Sequence, residues 1–139
     1  MVGLVIAAHG RLAQELLATA EQIVGPLAKT IAVTMAPGCD PDGVRAGIAD
    51  AVREVDDGSG VVVLTDLFGG TPCKESLLLL ASHTLEVIAG VNLPMVLKAA
   101  SLRQQPRPLP ELAEAIVEET RRHITYASAM LRAREKDFS

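Results

Sequence analysis

A histidine stands where the first apolar run of the chain stops. Residues 2–8 are almost wholly apolar, His9 and Gly10 follow, and an amphipathic stretch begins at Leu12. This order is typical of a buried strand, a tight turn and a helix start, and open α/β sheets bind ligands at that edge. The unpaired amide groups of helix N-termini attract anions there. The position indicates phosphoryl chemistry on His9, while a structural histidine at a strand end fits the same pattern.

A carboxylate holds the equivalent place after the third apolar run. Residues 61–64 are apolar, and Thr65 and Asp66 follow. The first and third strands of doubly wound sheets are commonly neighbours, which would bring Asp66 close to His9. A carboxylate that accepts the Nδ1–H of an imidazole fixes the tautomer and leaves Nε2 as the nucleophile. It also stabilises the cation that forms when Nε2 takes a phosphoryl group. The alternative is that Asp66 only caps the following turn.

A glycine pair and a threonine follow that carboxylate. Gly69 and Gly70 let backbone amides approach a ligand closely. Thr71 is expected to be the N-cap of the next helix, with Pro72 at its first position. The Thr71 hydroxyl can also donate to a phosphoryl oxygen. A glycine turn with a cap needs no ligand, and no Gly-Lys-Ser/Thr follows, so we expect no P-loop and no nucleotide cofactor.

Five further residues carry reactive or charged groups. Arg11 suits either a phosphate contact or a plain surface position. His83 and His123 fall near predicted helix ends, where histidines are usually solvated or capping. Cys39 and Cys73 lack the nearby partners that activate a thiol, and their spacing is not that of a metal site. We therefore expect no bound metal.

The elements that must position these residues alternate between strands and helices. The predicted strands are residues 2–8, 30–35, 61–64 and 86–90, and the predicted helices are residues 12–24, 42–55, 71–82, 92–101 and 111–122. Such alternation predicts one α/β domain with a doubly wound, mainly parallel sheet. Residues 123–128 fit either a further short strand or more helix.

Composition narrows the class of protein. The chain has 139 residues, of which 49% are hydrophobic and only 2% aromatic, so Ala, Val, Leu and Ile must build the core. The net charge of -4 comes without a basic cluster, which argues against nucleic-acid binding. Two cysteines outside any framework are typical of a reducing compartment. No signal peptide or membrane-spanning run is visible, so we expect a cytoplasmic protein.

Three segments together resemble one known family. They are Ala8-His9-Gly10, Thr65-Asp66-Leu67-Phe68-Gly69-Gly70-Thr71-Pro72 and Ile88-Ala89-Gly90-Val91-Asn92-Leu93-Pro94-Met95. Their order and spacing resemble the EIIA domain of the mannose/fructose/sorbose family of the bacterial sugar phosphotransferase system. The resemblance predicts an EIIA domain over residues 1–128, followed by a charged tail over residues 129–139.

The resemblance implies a role for each matching residue. His9 would accept a phosphoryl group from the phosphocarrier HPr and pass it to an EIIB component. That component acts with the membrane proteins EIIC and EIID, through which the chain would be peripheral to the membrane. Asp66 matches the histidine-orienting aspartate, Thr71 matches a hydroxyl beside the phosphoryl group, and Gly10, Gly69 and Gly70 complete the site. No cofactor is implied.

The resemblance also implies an assembly. The family fold is a parallel sheet of order 2-1-3-4, with a C-terminal antiparallel strand exchanged between the subunits of a homodimer. Residues 123–128 are the candidate for that strand. The chain departs from the family at Lys74-Glu75, where relatives usually carry small or polar residues, and the departure places two charges next to the site.

Three other interpretations remain open from the sequence. An EIIA-like subunit that phosphorylates a dihydroxyacetone kinase shares the fold and the histidine. A small sirohydrochlorin-type chelatase also carries His-Gly after its first strand, and would need His83 as a second metal-binding histidine beside His9. A module that only senses phosphorylation through partner binding would need His9 as well.

Overall fold

Four parallel strands form the centre of the fold in the computed structural model, which describes the backbone of residues 1–138 and the side chains of residues 1–135. The strands are β1 (Gly3–His9), β2 (Thr30–Met35), β3 (Val61–Thr65) and β4 (Leu85–Ala89). Their order across the sheet is β2-β1-β3-β4. In the register of β1 with its neighbours, Ala7 lies beside Thr65 and His9 beside Met35. The predicted doubly wound parallel sheet and its order are confirmed.

Helices connect the strands and follow the last of them. They are α1 (Leu12–Val24), α2 (Pro41–Val55), α3 (Thr71–Leu78) with a 3-10 turn at Leu79–Ala81, α4 (Leu93–Leu102), α5 (Leu109–Arg121) and α6 (Ala127–Phe138). Local chemistry explains two of the starts. Asp40 accepts the Asp42 N–H ahead of α2, and Asn92 accepts the Met95 N–H at 2.9 Å ahead of α4.

Helices cover both faces of the sheet. One face buries Leu4, Ile6 and Leu64 under α1, α4 and α5, whose contacting residues include Ala13, Ala20, Val96, Ala99, Leu112 and Ile116. The other face buries Val5, Ala7 and Val63 under Val44, Ile48 and Val52 of α2. Helices cover both faces of β1 and β3, so successive residues of these two strands are buried on alternate faces. This explains why both segments are nearly continuous apolar runs. Both runs end at the same edge of the sheet.

The C-terminal segment differs from the expected exchanged strand. Residues 123–126 lie outside helices and strands, and Ala127 and Ser128 begin α6. A strand needs a hydrogen-bonding neighbour, and an exchanged strand obtains it only from a second subunit. The single chain therefore forms no fifth strand within its described residues. Residues 129–138 of the expected tail continue α6, and Ser139 lies outside the described residues.

Across the described part of the chain, no helix is both long enough and apolar enough to cross a membrane.

Candidate functional site

His9 is the last residue of β1, and its side chain is 45% exposed at the carboxyl edge of the sheet. The chain turns sharply after it because Gly10 has a φ of 57°, a left-handed conformation that glycine adopts without strain. Gly10 also exchanges two backbone hydrogen bonds with Met35 of the neighbouring β2, at 3.0 and 3.3 Å. The turn is thus fixed to the sheet while the imidazole remains open to solvent.

Asp66 holds His9 at two points. Its Oδ2 accepts the backbone N–H of His9 at 3.0 Å and lies 2.8 Å from the ring Nδ1. A carboxylate oxygen can only accept a hydrogen bond, so Nδ1 carries the proton in this contact. The neutral ring then keeps its lone pair on Nε2. The expected proximity of the two side chains is therefore present, because β1 and β3 are neighbours and both end at this edge.

The environment keeps the Asp66 carboxylate charged. Burial raises the pKa of Asp66, but the hydrogen bonds from the His9 backbone N–H and ring, with the attraction of the ring charge, outweigh it and lower the pKa below its ordinary value. The second oxygen, Oδ1, is buried and has no hydrogen-bond partner among the described residues. The site therefore places a negative charge directly behind Nδ1.

Gly70 leaves room for the imidazole. A Cβ at this position would lie 2.9 Å from Cε1 of His9 and 3.6 Å from its Nε2. Gly69 has a φ of 83°, which turns the loop so that Gly70 passes over the ring. The glycine pair was expected to let amides approach a ligand, but the Gly70 N–H donates to Leu67 O at 3.1 Å. The absence of a side chain at Gly70 leaves space beside the His9 ring.

Thr71 lies one position further into α3 than expected. It is the first residue of α3, and Gly70 takes the N-cap position with no side-chain cap. The expected cap role of Thr71 is therefore wrong, because the extended backbone of an N-cap falls on Gly70 at φ −74° and ψ 167°. Within the described side chains, the Thr71 hydroxyl makes no hydrogen bond, so it is available at the helix N-terminus beside His9.

The two charges that follow Thr71 separate in the structure. Lys74 is exposed on α3, whereas the side chain of Glu75 is only 8% exposed and lies 3.4 Å from Arg45 of α2. Only Lys74 adds charge to the exposed surface here. Arg11 is 76% exposed and lies 3.8 Å from Glu15, a loose surface pair.

Sequence reasoning did not single out two apolar side chains beside the site. Leu67 and Phe68 lie between Asp66 and the glycine pair, with exposed fractions of 60% and 81%. Large apolar residues in a loop directly after a reactive strand end were the available signal. They give the rim of the site a surface suited to protein contact.

The remaining candidates lie in several parts of the fold. His83 precedes β4 at the opposite edge of the sheet and is 2.9 Å from Ser82 Oγ, while His123 is exposed after α5. Cys39 is exposed and Cys73 is buried in α3. Over the residues with described side chains, no group of three or more His, Cys, Asp and Glu is arranged to hold a metal ion.

Comparisons with known proteins agree with this geometry. The family model described as EIIA-man, PTS system fructose IIA component, matches residues 3–128. The candidate phosphotransferase enzyme IIA component YadI of Escherichia coli K12 is 36% identical over 119 residues, which cover 85% of this chain and 81% of YadI. The mannose-specific EIIAB component of the same organism is 30% identical over 84% of this chain, which spans only 36% of that longer protein.

A solved structure shows the same fold. The mannose/sorbose-specific IIA subunit of Enterococcus faecalis superposes with a TM-score of 0.80 and 33% identity, over 89% of this chain and 92% of that one. The family match, the fold and the paired histidine and aspartate at one sheet edge lead to a single assignment. The chain belongs to the mannose/fructose-type EIIA family of the phosphotransferase system.

Proposed function

We propose that this chain is a phosphoryl carrier and that Nε2 of His9 carries the phosphoryl group. The contact between Nδ1 and Asp66 Oδ2 at 2.8 Å supports this most directly, because it leaves the Nε2 lone pair free. Family membership supplies the general role in phosphoryl transfer. The choice of nitrogen and of residues is argued from the contacts of the site.

The transfer step forms one bond at His9 and breaks one bond in the donor. The Nε2 lone pair of His9 attacks phosphorus, a new nitrogen–phosphorus bond forms, and the bond from phosphorus to the donor breaks with its electron pair returning to the donor. The ring becomes cationic because Nδ1 keeps its proton. The ionised Asp66 stabilises that cation, as a preorganised charge does where charge develops.

The first turn of α3 is suited to the phosphoryl oxygens. Thr71 offers a hydroxyl without another partner in the described chain, and the first amides of α3 have no acceptor within the helix. The Gly70 N–H is not among them, because it donates to Leu67 O at 3.1 Å. Helix N-termini favour anions. We assign Gly10, Gly69, Gly70 and Thr71 to the phosphoryl-binding site, with His9 and Asp66 as the reacting pair.

The proposed donor is HPr and the proposed acceptor an EIIB component, which would act with EIIC and EIID at the membrane. Leu67 and Phe68 support protein partners, since both expose apolar surface in the loop between Asp66 and Gly70. The chain would then work in the cytoplasm and reach the membrane only through those partners. Resemblance to proteins named for mannose, fructose or sorbose does not fix the sugar.

The proposed assembly is a homodimer with exchanged C-terminal segments. The outer edge of β4 borders an open groove of about 360 Å³, lined in part by Val87, Ala113 and Val117. Ile124 and Tyr126 are 78% and 71% exposed and alternate in sequence, so an extended segment would direct both to one face. Residues 123–128 of a second copy are the proposed occupant of that groove, where they would pair with β4 and cover its free edge.

The chelatase interpretation loses its second ligand in this fold. It needs His83 beside His9, and the two residues lie at opposite edges of the sheet, one before β4 and one at the end of β1. No observation of the site favours this function over phosphoryl transfer.

The test is phosphorylation in a purified system. The protein is incubated with phosphoenolpyruvate, enzyme I and HPr, and the intact mass is measured. We expect a gain of one phosphoryl group in the wild type and in His83→Ala, and no gain in His9→Ala. Undiminished labelling of His9→Ala would overturn the proposal, as would a wild type that never gains mass.

A further inference from the structure

Glu75 is a charged side chain in a buried place. It is the fifth residue of α3, and only 6% of the residue is exposed. Its neighbour Lys74 is exposed, so the two adjacent charges face different environments. Removing a carboxylate from water is costly unless a cation and hydrogen bonds compensate it. The position therefore needs a partner.

That partner belongs to the neighbouring helix. Arg45 Nη1 of α2 lies 3.4 Å from Glu75 Oε1, and Arg45 Nη2 lies 2.9 Å from Asp42 Oδ1 in the first turn of α2. Among residues 1–135, Arg45 is the only cation within 4.0 Å of the Glu75 carboxylate. An ionic chain of three residues thus runs from the start of α2 to α3.

The start of α2 is a fixed point beside the site. Val44, next to Arg45, and Ile48 are buried against Val5 and Ala7 of β1, two strand residues that precede His9. Arg45 is therefore attached to the same strand that carries the reactive imidazole. The ion pair with Arg45 therefore fixes the position of α3 relative to His9.

The start of α3 borders the imidazole. A Cβ at Gly70 would be 2.9 Å from Cε1 of His9, so the ring occupies the space that any larger side chain would need. Glu75 is four residues after Thr71, on the same face of α3. A shift of α3 relative to the sheet would change the distance from Gly70 and the following Thr71 to the ring. Misplacement is costly in group transfer, because the reacting atoms must be aligned.

We infer that Glu75 is a positioning residue for phosphoryl transfer at His9 and that it acts through Arg45. The inference rests on the proposed function. The pair sets the distance between α3 and α2, and thereby the place of Gly70 and Thr71 over the imidazole. Neither side chain touches the reacting atoms.

Glu75→Gln tests this inference, because it keeps the shape of the side chain and removes its charge. We expect kcat for transfer from phospho-HPr to fall about tenfold. KM should stay within about twofold, since the docking surface is unchanged. The ring nitrogen signals of His9 in the unphosphorylated protein, read by long-range proton–nitrogen NMR, should shift as well.

Arg45→Gln provides the second variant. Arg45→Gln leaves the buried Glu75 carboxylate without its cation and should lower the free energy of unfolding, so its rate is measured after circular dichroism has shown that the protein is folded. Arg45→Lys keeps the charge and serves where Glu75→Gln or Arg45→Gln fails to fold. The same fall in kcat is expected, the double variant should be no slower than either single one, and Arg45→Lys should recover part of the rate. Asp50→Asn is the matched control, because it removes an exposed pair with Arg53 on the same helix and should leave the rate unchanged.

The outcomes separate this inference from the proposed function. A wild type that accepts no phosphoryl group refutes the proposed function. A labelled wild type whose Glu75 and Arg45 variants match it in kcat, or differ from it only in KM, refutes the positioning role.

Discussion

At His9, one carboxylate decides which ring nitrogen is free to react. Asp66 accepts from the backbone N–H and from Nδ1 of the same residue, which fixes both the place and the tautomer of the ring. Both hydrogen bonds go to the single oxygen Oδ2, which an amide could also supply, but only a carboxylate adds a negative charge behind Nδ1. The chemistry of the site therefore depends on the charge of Asp66 as well as on its shape.

Asp66→Asn should slow phosphoryl transfer about 100-fold or more, by analogy with other oriented histidines. An asparagine oxygen in the place of Oδ2 can accept both hydrogen bonds, but the amide carries no charge to stabilise the cationic ring that forms on transfer. The measurement is the rate of labelling by phospho-HPr. A rate equal to that of the wild type would show that the charge of Asp66 does not contribute to transfer.

The same substitution should affect stability in a pH-dependent way. The folded-state pKa of Asp66 lies below its ordinary value of 3.8, so the unfolded chain binds the proton more tightly. The stabilisation is therefore complete above about pH 5 and is lost as pH falls through the folded pKa. Urea unfolding at pH 7 and pH 3 should show the wild type exceeding Asp66→Asn by more at pH 7, whereas an equal difference at both values would contradict the shift.

Gly70→Ala tests the clearance over the imidazole. The backbone of Gly70 is extended, so alanine is tolerated there and any loss comes from the Cβ pressing on His9. We expect transfer to slow about tenfold while the protein remains folded. Gly43→Ala is the control, since no atom lies within 4 Å of its Cβ in α2, and it should stabilise the helix by about 1 kcal/mol at unchanged rate. Full activity of Gly70→Ala would show that the ring has room to move.

At the scale of elements, the sequence was informative where a strand ends. His9 and Asp66 could be found because each stops a buried apolar run, and parallel strands bring such ends to one edge. The exact bounds of α1 and β2 followed from periodicity. The cap of α3 could not be found, because Gly70 and Thr71 both suit that position and only the backbone conformation separates them.

Thr71→Val and Thr71→Ser separate a ligand contact from a helix cap. Because the hydroxyl makes no cap hydrogen bond, Thr71→Val should leave the free energy of unfolding nearly unchanged. Asp40→Ala removes a side-chain hydrogen bond at the N-cap of α2 and should lower the free energy of unfolding by about 1 kcal/mol. Thr71→Val is expected to slow transfer about tenfold and Thr71→Ser to retain it. If Thr71→Val lowers the free energy of unfolding and leaves the transfer rate unchanged, the residue has a structural role only.

Glu75 shows a second limit of the sequence. Lys74-Glu75 looks like one charged pair beside the site, yet Glu75 is buried against α2 while Lys74 remains exposed. The direction of each side chain depends on how α3 packs, which depends on contacts from a distant part of the chain. Local pattern gives residue types but not these long-range contacts.

At the scale of the molecule, a sheet with a free β4 edge carries a C-terminal segment whose apolar side chains are exposed. Ile124, Tyr126, Met130 and Leu131 all have more than half of their surface in solvent. A segment whose partner is another copy cannot be placed by the pattern of one chain, since its pairing is set by a second subunit. The proposed dimer would account for the absence of a strand at residues 123–128 of the single chain.

Ile124→Asp with Tyr126→Asp should yield a monomer by light scattering at micromolar concentration, whereas the wild type should be a dimer. Two charges cannot be buried in the groove beside β4. Truncation after Arg122 should give a monomer or insoluble protein, because it removes the segment proposed to pair with β4 and leaves that edge uncovered. Ile23→Asp, an exposed apolar position on α1, is the control and should remain dimeric. A monomeric wild type would refute the exchanged dimer.

The central claim is that phosphorus is bound to Nε2 of His9. It is tested most directly by NMR of the nitrogen-labelled protein after phosphorylation by phospho-HPr, where coupling between phosphorus and a ring nitrogen identifies the atom. We expect the coupling at Nε2 of His9, with Nδ1 still protonated and hydrogen-bonded to Asp66. Coupling at Nδ1, or at a nitrogen of His83 or His123, would contradict the account.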